Sequence, residues 1–240
     1  MQQLRPNQAR AQAAVILLWT MFALEIASFI SGFFQYNLLN AISGGENVSD
    51  EAASLNDLRE QVIGIIFIMA YIISAVTFIM WFRRAYYNLH QRVKFLSQTE
   101  GWAAGAWFVP FISLYMPYQI MKELYEKTRK VLGDKGIHGA QELNTSLLGW
   151  WWALWIINNF MGQLVFRVTL EAETVNQLIT ASQIGMVSNL IGIPLALLAI
   201  KVVRDYAAVE PLLFEIREEP VVPVIPTQTG IQGTEDLTQL

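Results

Sequence analysis

Trp102-Ala103-Ala104-Gly105-Ala106-Trp107-Phe108-Val109-Pro110-Phe111-Ile112-Ser113-Leu114-Tyr115-Met116-Pro117-Tyr118-Gln119-Ile120-Met121 is uncharged and mostly apolar. About 20 such residues suffice for a helix to cross a hydrocarbon core of about 30 Å, so hydropathy alone reads this stretch as a span. Its flanks oppose that reading. Arg83, Arg84, Arg92 and Lys94 precede it, and Lys122, Lys127, Arg129, Lys130 and Lys135 follow it. Four further apolar runs, residues 14–36, 61–82, 146–166 and 179–200, read as spans in their own right. If the chain starts in the cytoplasm and 102–121 does not cross, 14 of the 16 Lys and Arg residues lie inside and only Arg59 and Arg167 outside. If it crosses, the split is 7 against 9. Cytoplasmic loops carry the excess of Lys and Arg, which selects four spans. Pro110 and Pro117 each remove a backbone N–H and break a helix. Non-helical backbone at membrane depth needs cover from protein or water. The stretch therefore reads as a Pro-broken re-entrant or interfacial segment that enters and leaves on the cytoplasmic side.

Composition agrees with a membrane class: 54% of the 240 residues are hydrophobic and 15% charged, where soluble domains run near 25% charged. There is no cysteine, hence no disulfide framework and no thiolate metal site. The run at 14–36 is longer than the h-region of a secretion signal, about 7–15 residues, and reads as a retained first span. The expected organisation is a cytoplasmic segment 1–13, a four-span membrane domain 14–205 and a cytoplasmic tail 206–240, disordered from about residue 218 where prolines gather without periodicity. The fold class is all-α, a polytopic membrane helix bundle with four transmembrane helices, both ends inside.

Beyond the second span, Tyr86, Leu89, Val93 and Leu96 form an apolar stripe at helical spacing. That spacing predicts a continuous helix to about Ser97. Residues 122–132 read as an exposed amphipathic helix, with Glu123/Lys127 and Glu126/Lys130 as i,i+4 pairs. Trp150, Trp151, Trp152 and Trp155 open the third span and read as interface anchors.

No phosphate-cradling glycine loop, paired-histidine zinc motif or nucleophile elbow is present. The chain is expected to be non-enzymatic and without cofactor or metal, and nucleic-acid binding has no support. Glu25 is the one ionisable residue near the middle of a span, where charge is costly. It is either a carboxyl that ties helices together or a proton or ion site. Asn158, Asn159, Gln163, Gln183 and Asn189 are its candidate amide partners. Ser188 and Gly192 have a small-xxx-small spacing that permits close helix approach. On the cytoplasmic side, Arg83, Arg84, Tyr86 and Asn88 just past span two, with Trp102, Trp107, Pro110, Pro117 and Tyr118 on the broken segment, are expected to form one aromatic, basic-rimmed site. Its ligand would be an anionic lipid headgroup or the tail of a membrane or cytoplasmic partner protein.

Three blocks carry a resemblance. They are Trp81-Phe82-Arg83-Arg84-Ala85-Tyr86-Tyr87-Asn88-Leu89; the stretch from Gly101-Trp102 through Val109-Pro110 to Pro117-Tyr118-Gln119-Ile120-Met121-Lys122-Glu123; and Trp150-Trp151-Trp152-Ala153-Leu154-Trp155. Together they resemble the bacterial membrane-protein family catalogued as domain of unknown function 4328, over most of residues 14–205. The resemblance implies a bacterial multi-pass protein of the cell (inner) membrane and no particular activity. The function expected is that of a membrane module whose cytoplasmic face contacts anionic lipid or a partner subunit. The alternative is a small transporter or channel-like unit centred on Glu25.

Overall fold

Long apolar runs bounded by polar caps become long helices, and in the computed structural model, which describes residues 3–139 and 143–216, these pack side by side. In chain order they are α1 (Gln8–Ser43), α2 (Asp50–His90), the single turn α3 (Trp102–Gly105), α4 (Met116–Asp134), α5 (Thr145–Leu170) and α6 (Val175–Val209). A 3-10 turn, Ile112–Leu114, precedes α4, and a 3-10 helix, Glu210–Phe214, follows α6. No strand occurs among the described residues.

The helix starts are locally encoded. Ser49 accepts the Ala52 N–H at 3.2 Å ahead of α2, whose first turn carries Asp50 and Glu51, acids that suit the positive end of a helix dipole. Thr174 and Gln177 form a reciprocal capping box at α6. Asn144 caps α5 through the Ser146 N–H at 2.9 Å.

α1, α2, α5 and α6 run alternately up and down. Asn7, Trp81 and Glu210 meet at one end, while Ser43 reaches Asn176 at the other. The N-terminal part of α5 lies at the first end, where Trp151 packs on Phe78 and Trp152 bonds to Leu114. Everything between α2 and α5 therefore returns to the end it left. Of the 16 Lys and Arg residues, Arg59 and Arg167 are the ones at the opposite end among the described residues. Arg59 is tied down there, donating to Ser31 Oγ at 2.8 Å and Asn56 Oδ1 at 2.6 Å and pairing with Glu60 at 3.2 Å.

The packed core concentrates at the basic end, where Trp81, Phe82, Tyr86, Leu89, Met121, Leu124, Tyr206 and Leu213 are all buried. Along the middle of the bundle the apolar side chains face outward instead, among them Ile65, Ile66, Ile68, Met69 and Ile72. An apolar surface of that extent calls for a non-aqueous partner. Among the described residues, three helical stretches are long and apolar enough to cross a membrane: Gln8–Ser43, Asp50–His90 and Val175–Phe214. α5, with 26 residues, is about 39 Å long, but its tryptophans and amides dilute its apolar character.

Several expectations are corrected. α2 stops at His90 and not near Ser97. No proline or glycine ends it; a competing set of bonds does. The Ser97 N–H and hydroxyl go to Glu123 at 2.9 and 2.7 Å, the Gln98 N–H goes to Tyr86 Oη at 3.3 Å, and Arg92 Nε donates to the Leu213 carbonyl at 2.9 Å. Residues 102–121 form no single helix: the chain turns through 106–111, and Pro117 sits in the first turn of α4. That position suits proline, whose missing N–H is not needed there. α4 is longer than expected and only half exposed, since Ile120, Met121, Leu124, Tyr125, Thr128 and Leu132 are buried along one face. Its Glu123 bonds to Tyr86 and Ser97, and Lys122 pairs with Glu126 at 3.8 Å. The tail does not begin at residue 206. Tyr206 and Leu213 are core residues, and the expected disorder from about 218 lies outside the described residues.

Candidate functional site at the basic end

Met80, Arg83, Arg84 and Tyr87 recur at spacings of three and four, so they share one face of α2. Against that face lie Arg5, from the extended segment before α1, and Arg10, from the first turn of α1. With Glu100 from the loop after α2, these residues line a cleft of about 240 Å³. Arg5 stacks over the Tyr87 ring at 4.6 Å and Arg84 approaches it at 6.0 Å, distances at which a cation is attracted to the ring face. Arg83 pairs with Glu100 at 3.2 Å. Four guanidiniums thus surround a single carboxylate. Planar guanidinium forks match the oxygens of phosphate and carboxylate.

Behind the cleft is a buried polar clasp. Asn88 is fully buried. Its Oδ1 accepts the Arg5 N–H at 3.0 Å, and its Nδ2 donates to the Arg5 carbonyl at 2.9 Å and to Glu210 Oε1 at 2.7 Å. Asn7 Nδ2 donates to Glu210 Oε2 at 2.9 Å and to the Trp81 carbonyl at 3.2 Å. Leu4 joins the core beside it. Glu210, Asn7, Arg5 and Arg10 were not among the sequence-derived candidates. A signal existed for Glu210: it follows Val202, Val203 and Tyr206 on one apolar stripe, and a carboxylate continuing such a stripe is a buried polar group in need of donors.

The expected single site is divided. Arg83 and Arg84 face the cleft. Tyr86 and Asn88 point inward: Tyr86 is buried and donates to Glu123 Oε2 at 2.7 Å. Trp107 packs under α2, its ring 5.7 Å from Phe78 and 6.3 Å from Phe82. Tyr118 stacks on Trp152, and Pro117 is buried beside it. Trp102 and Pro110 are exposed. The segment packs on α2 through Trp107, against Phe78 and Phe82 within the apolar run. The tryptophans of α5 divide too. Trp150 is 69% exposed, whereas Trp152 stacks on Trp155 at 4.5 Å and donates to the Leu114 carbonyl at 2.9 Å. At the tip, a γ-turn with the Ile112 N–H on the Pro110 carbonyl at 2.7 Å holds Phe111 at φ 62°, a strained conformation for a bulky residue. It projects Phe111, 82% exposed, next to Phe108, 76% exposed.

The family model described as Domain of unknown function (DUF4328) matches residues 44–208, well over half of the chain. The chain belongs to this family. No curated protein and no solved structure matches it. The DUF4328 match takes in Arg83, Arg84, Tyr87 and Asn88 and leaves Arg5, Asn7, Arg10 and Glu210 outside. The cleft and clasp of this DUF4328 protein are thus each assembled across the boundary of the match.

Glu25, on α1, also lies outside the DUF4328 match. It is buried against α6, where a Cβ on Gly192 would overlap its carboxyl group. Asn189, with its amide nitrogen turned to Glu25, donates to Oε2 at 3.0 Å and accepts the Phe29 N–H at 3.2 Å. The other expected partners are elsewhere. α5 packs on α6 and not extensively on α1. Asn159 donates to its own helix at the Trp155 carbonyl, Asn158 makes no bond to Glu25, and Gln163 is exposed. The geometry is that of a tie between α1 and α6. Glu25→Gln, which keeps an acceptor, should leave thermal unfolding in detergent nearly unchanged. Glu25→Leu should lower stability by about 1 kcal/mol, the scale of such contacts. A pH-dependent ion flux in proteoliposomes that Glu25→Gln abolishes, at unchanged melting temperature, would instead make Glu25 a transport site.

Proposed function

We propose that the protein is a four-span module of the bacterial inner membrane whose basic end faces the cytoplasm and holds an anionic lipid headgroup. The observation that carries this reading is the cleft of Arg5, Arg10, Arg83 and Arg84 around Tyr87. Met80, which also lines the cleft, belongs to the apolar part of α2, so the cleft opens where a span leaves the hydrocarbon. Arginine at that depth meets the negative surface of the cytoplasmic leaflet. α5 acts as the fourth span, with Trp150 at the interface and Phe160, Leu164 and Phe166 on its exposed face. The γ-turn that projects Phe108 and Phe111 supports an interfacial or re-entrant place for the broken segment.

The test compares lipid retention by native mass spectrometry after reconstitution in phosphatidylglycerol with phosphatidylcholine. Arg83→Gln with Arg84→Gln should reduce phosphatidylglycerol retention by about 2 kcal/mol, or roughly thirtyfold, at about 1 kcal/mol per arginine. Lys127→Gln with Lys130→Gln, on the exposed side of α4 away from the cleft, should not. Equal losses from both pairs would reduce the effect to general surface charge.

A further inference from the structure

We infer that residues 3–7 form a clasp whose docking completes the arginine cleft, so that headgroup binding and clasp closure stabilise each other; this rests on the anionic-headgroup reading of the cleft. Two of the four guanidiniums, those of Arg5 and Arg10, are supplied from this segment and the helix turn it leads into. The backbone of Arg5 is gripped at both its N–H and its carbonyl by Asn88, and Leu4 and Asn7 are buried on either side. The clasp and the cleft therefore share one residue: Arg5 turns its backbone to Asn88 and its side chain to Tyr87.

Closure without an anion is opposed in three ways. It gathers four like charges in one cleft, with one carboxylate to offset them. Asn7 stands at the N-cap of α1 yet makes no capping bond with its side chain, forgoing a stabilising contact common at that position. Asn7 Oδ1 and Trp81 Nε1 are left buried without a partner, and such atoms are costly. Glu210 and Leu4 hold the segment down against these terms. An anion in the cleft cancels the first of them, so it favours the docked state, and by linkage the docked state favours the anion to the same degree. The occupant is a phosphate-bearing headgroup, because the cleft adjoins the apolar face of α2.

The test uses the full chain in nanodiscs, following hydrogen exchange of residues 3–11 and lipid retention together. Replacing part of the phosphatidylcholine by phosphatidylglycerol should slow exchange at the Arg5 amide at least about fivefold. Leu4→Ala, which lies outside the cleft lining and removes the buried side chain that holds the segment down, should cut phosphatidylglycerol retention by at least about the same factor. Arg5→Gln with Arg10→Gln should slow exchange of the segment in phosphatidylcholine alone and abolish its response to phosphatidylglycerol. Full retention by Leu4→Ala, beside normal binding in the wild type, overturns the coupling and leaves the headgroup site standing. No preference for phosphatidylglycerol in the wild type overturns the headgroup site itself. Equal protection by inorganic phosphate in phosphatidylcholine discs keeps the clasp and overturns the lipid as its ligand.

Discussion

Trp152→Ala should destabilise the protein by about 3–5 kcal/mol, the range for removing a buried tryptophan, and free the segment between α3 and α4 from the bundle. The indole stacks on Trp155 at 4.5 Å, lies 6.2 Å from the Tyr118 ring and 5.9 Å from Trp107, and donates to the Leu114 carbonyl at 2.9 Å. It is the meeting point of α5, the broken segment and the first turn of α4. Trp152→Phe keeps most of the ring packing but strands that carbonyl, so its cost should be smaller, about 1–3 kcal/mol. Thermal unfolding in detergent gives the first readout. Limited proteolysis gives the second, with new cleavage expected between residues 106 and 115. If Trp152→Ala melts like the wild type and gains no cleavage, the indole is not what holds the segment.

What could be read from the sequence was whatever is encoded locally. Charge sorting around 102–121 fixed which end of the bundle each loop occupies, and Pro110 and Pro117 marked where its helix breaks. Ser49, Asn144 and Thr174 carry local start signals for α2, α5 and α6. The termination of α2 at His90 had none, because the chain beyond it is held by distant groups, Arg92 by the Leu213 carbonyl and the Ser97 N–H by Glu123. The apolar stripe continuing through Val93 and Leu96 was real: both pack on the core, but from irregular chain and not from a helix.

The site was half legible for the same reason. Arg83 and Arg84 stood out beside an apolar run. Arg5 and Arg10 read only as topology signals, since nothing local says that the segment before α1 folds onto α2. Asn88 read as part of the rim of an open site, and it is fully buried instead. Its burial depends on Glu210, which lies 122 residues away in sequence. The amide cluster around Glu25 failed through helix order: α5 is the neighbour of α6, and α1 covers the α6 face that bears Asn189 and Gly192.

On the four-span topology proposed above, residues 102–121 return to the side they left, and the arginine cleft and the whole basic end lie in the cytoplasm. The chain has no cysteine, so single cysteines report cleanly. Asn47, Glu173, Thr99 and Asp134 are all exposed, and none takes part in the cleft or the clasp. Labelled with an impermeant maleimide, Asn47→Cys and Glu173→Cys should react in intact cells, and Thr99→Cys and Asp134→Cys only after permeabilisation. Asp134→Cys is the decisive position. Reaction there in intact cells, with Thr99→Cys still protected, would mean that 102–121 crosses the membrane, and would contradict the account.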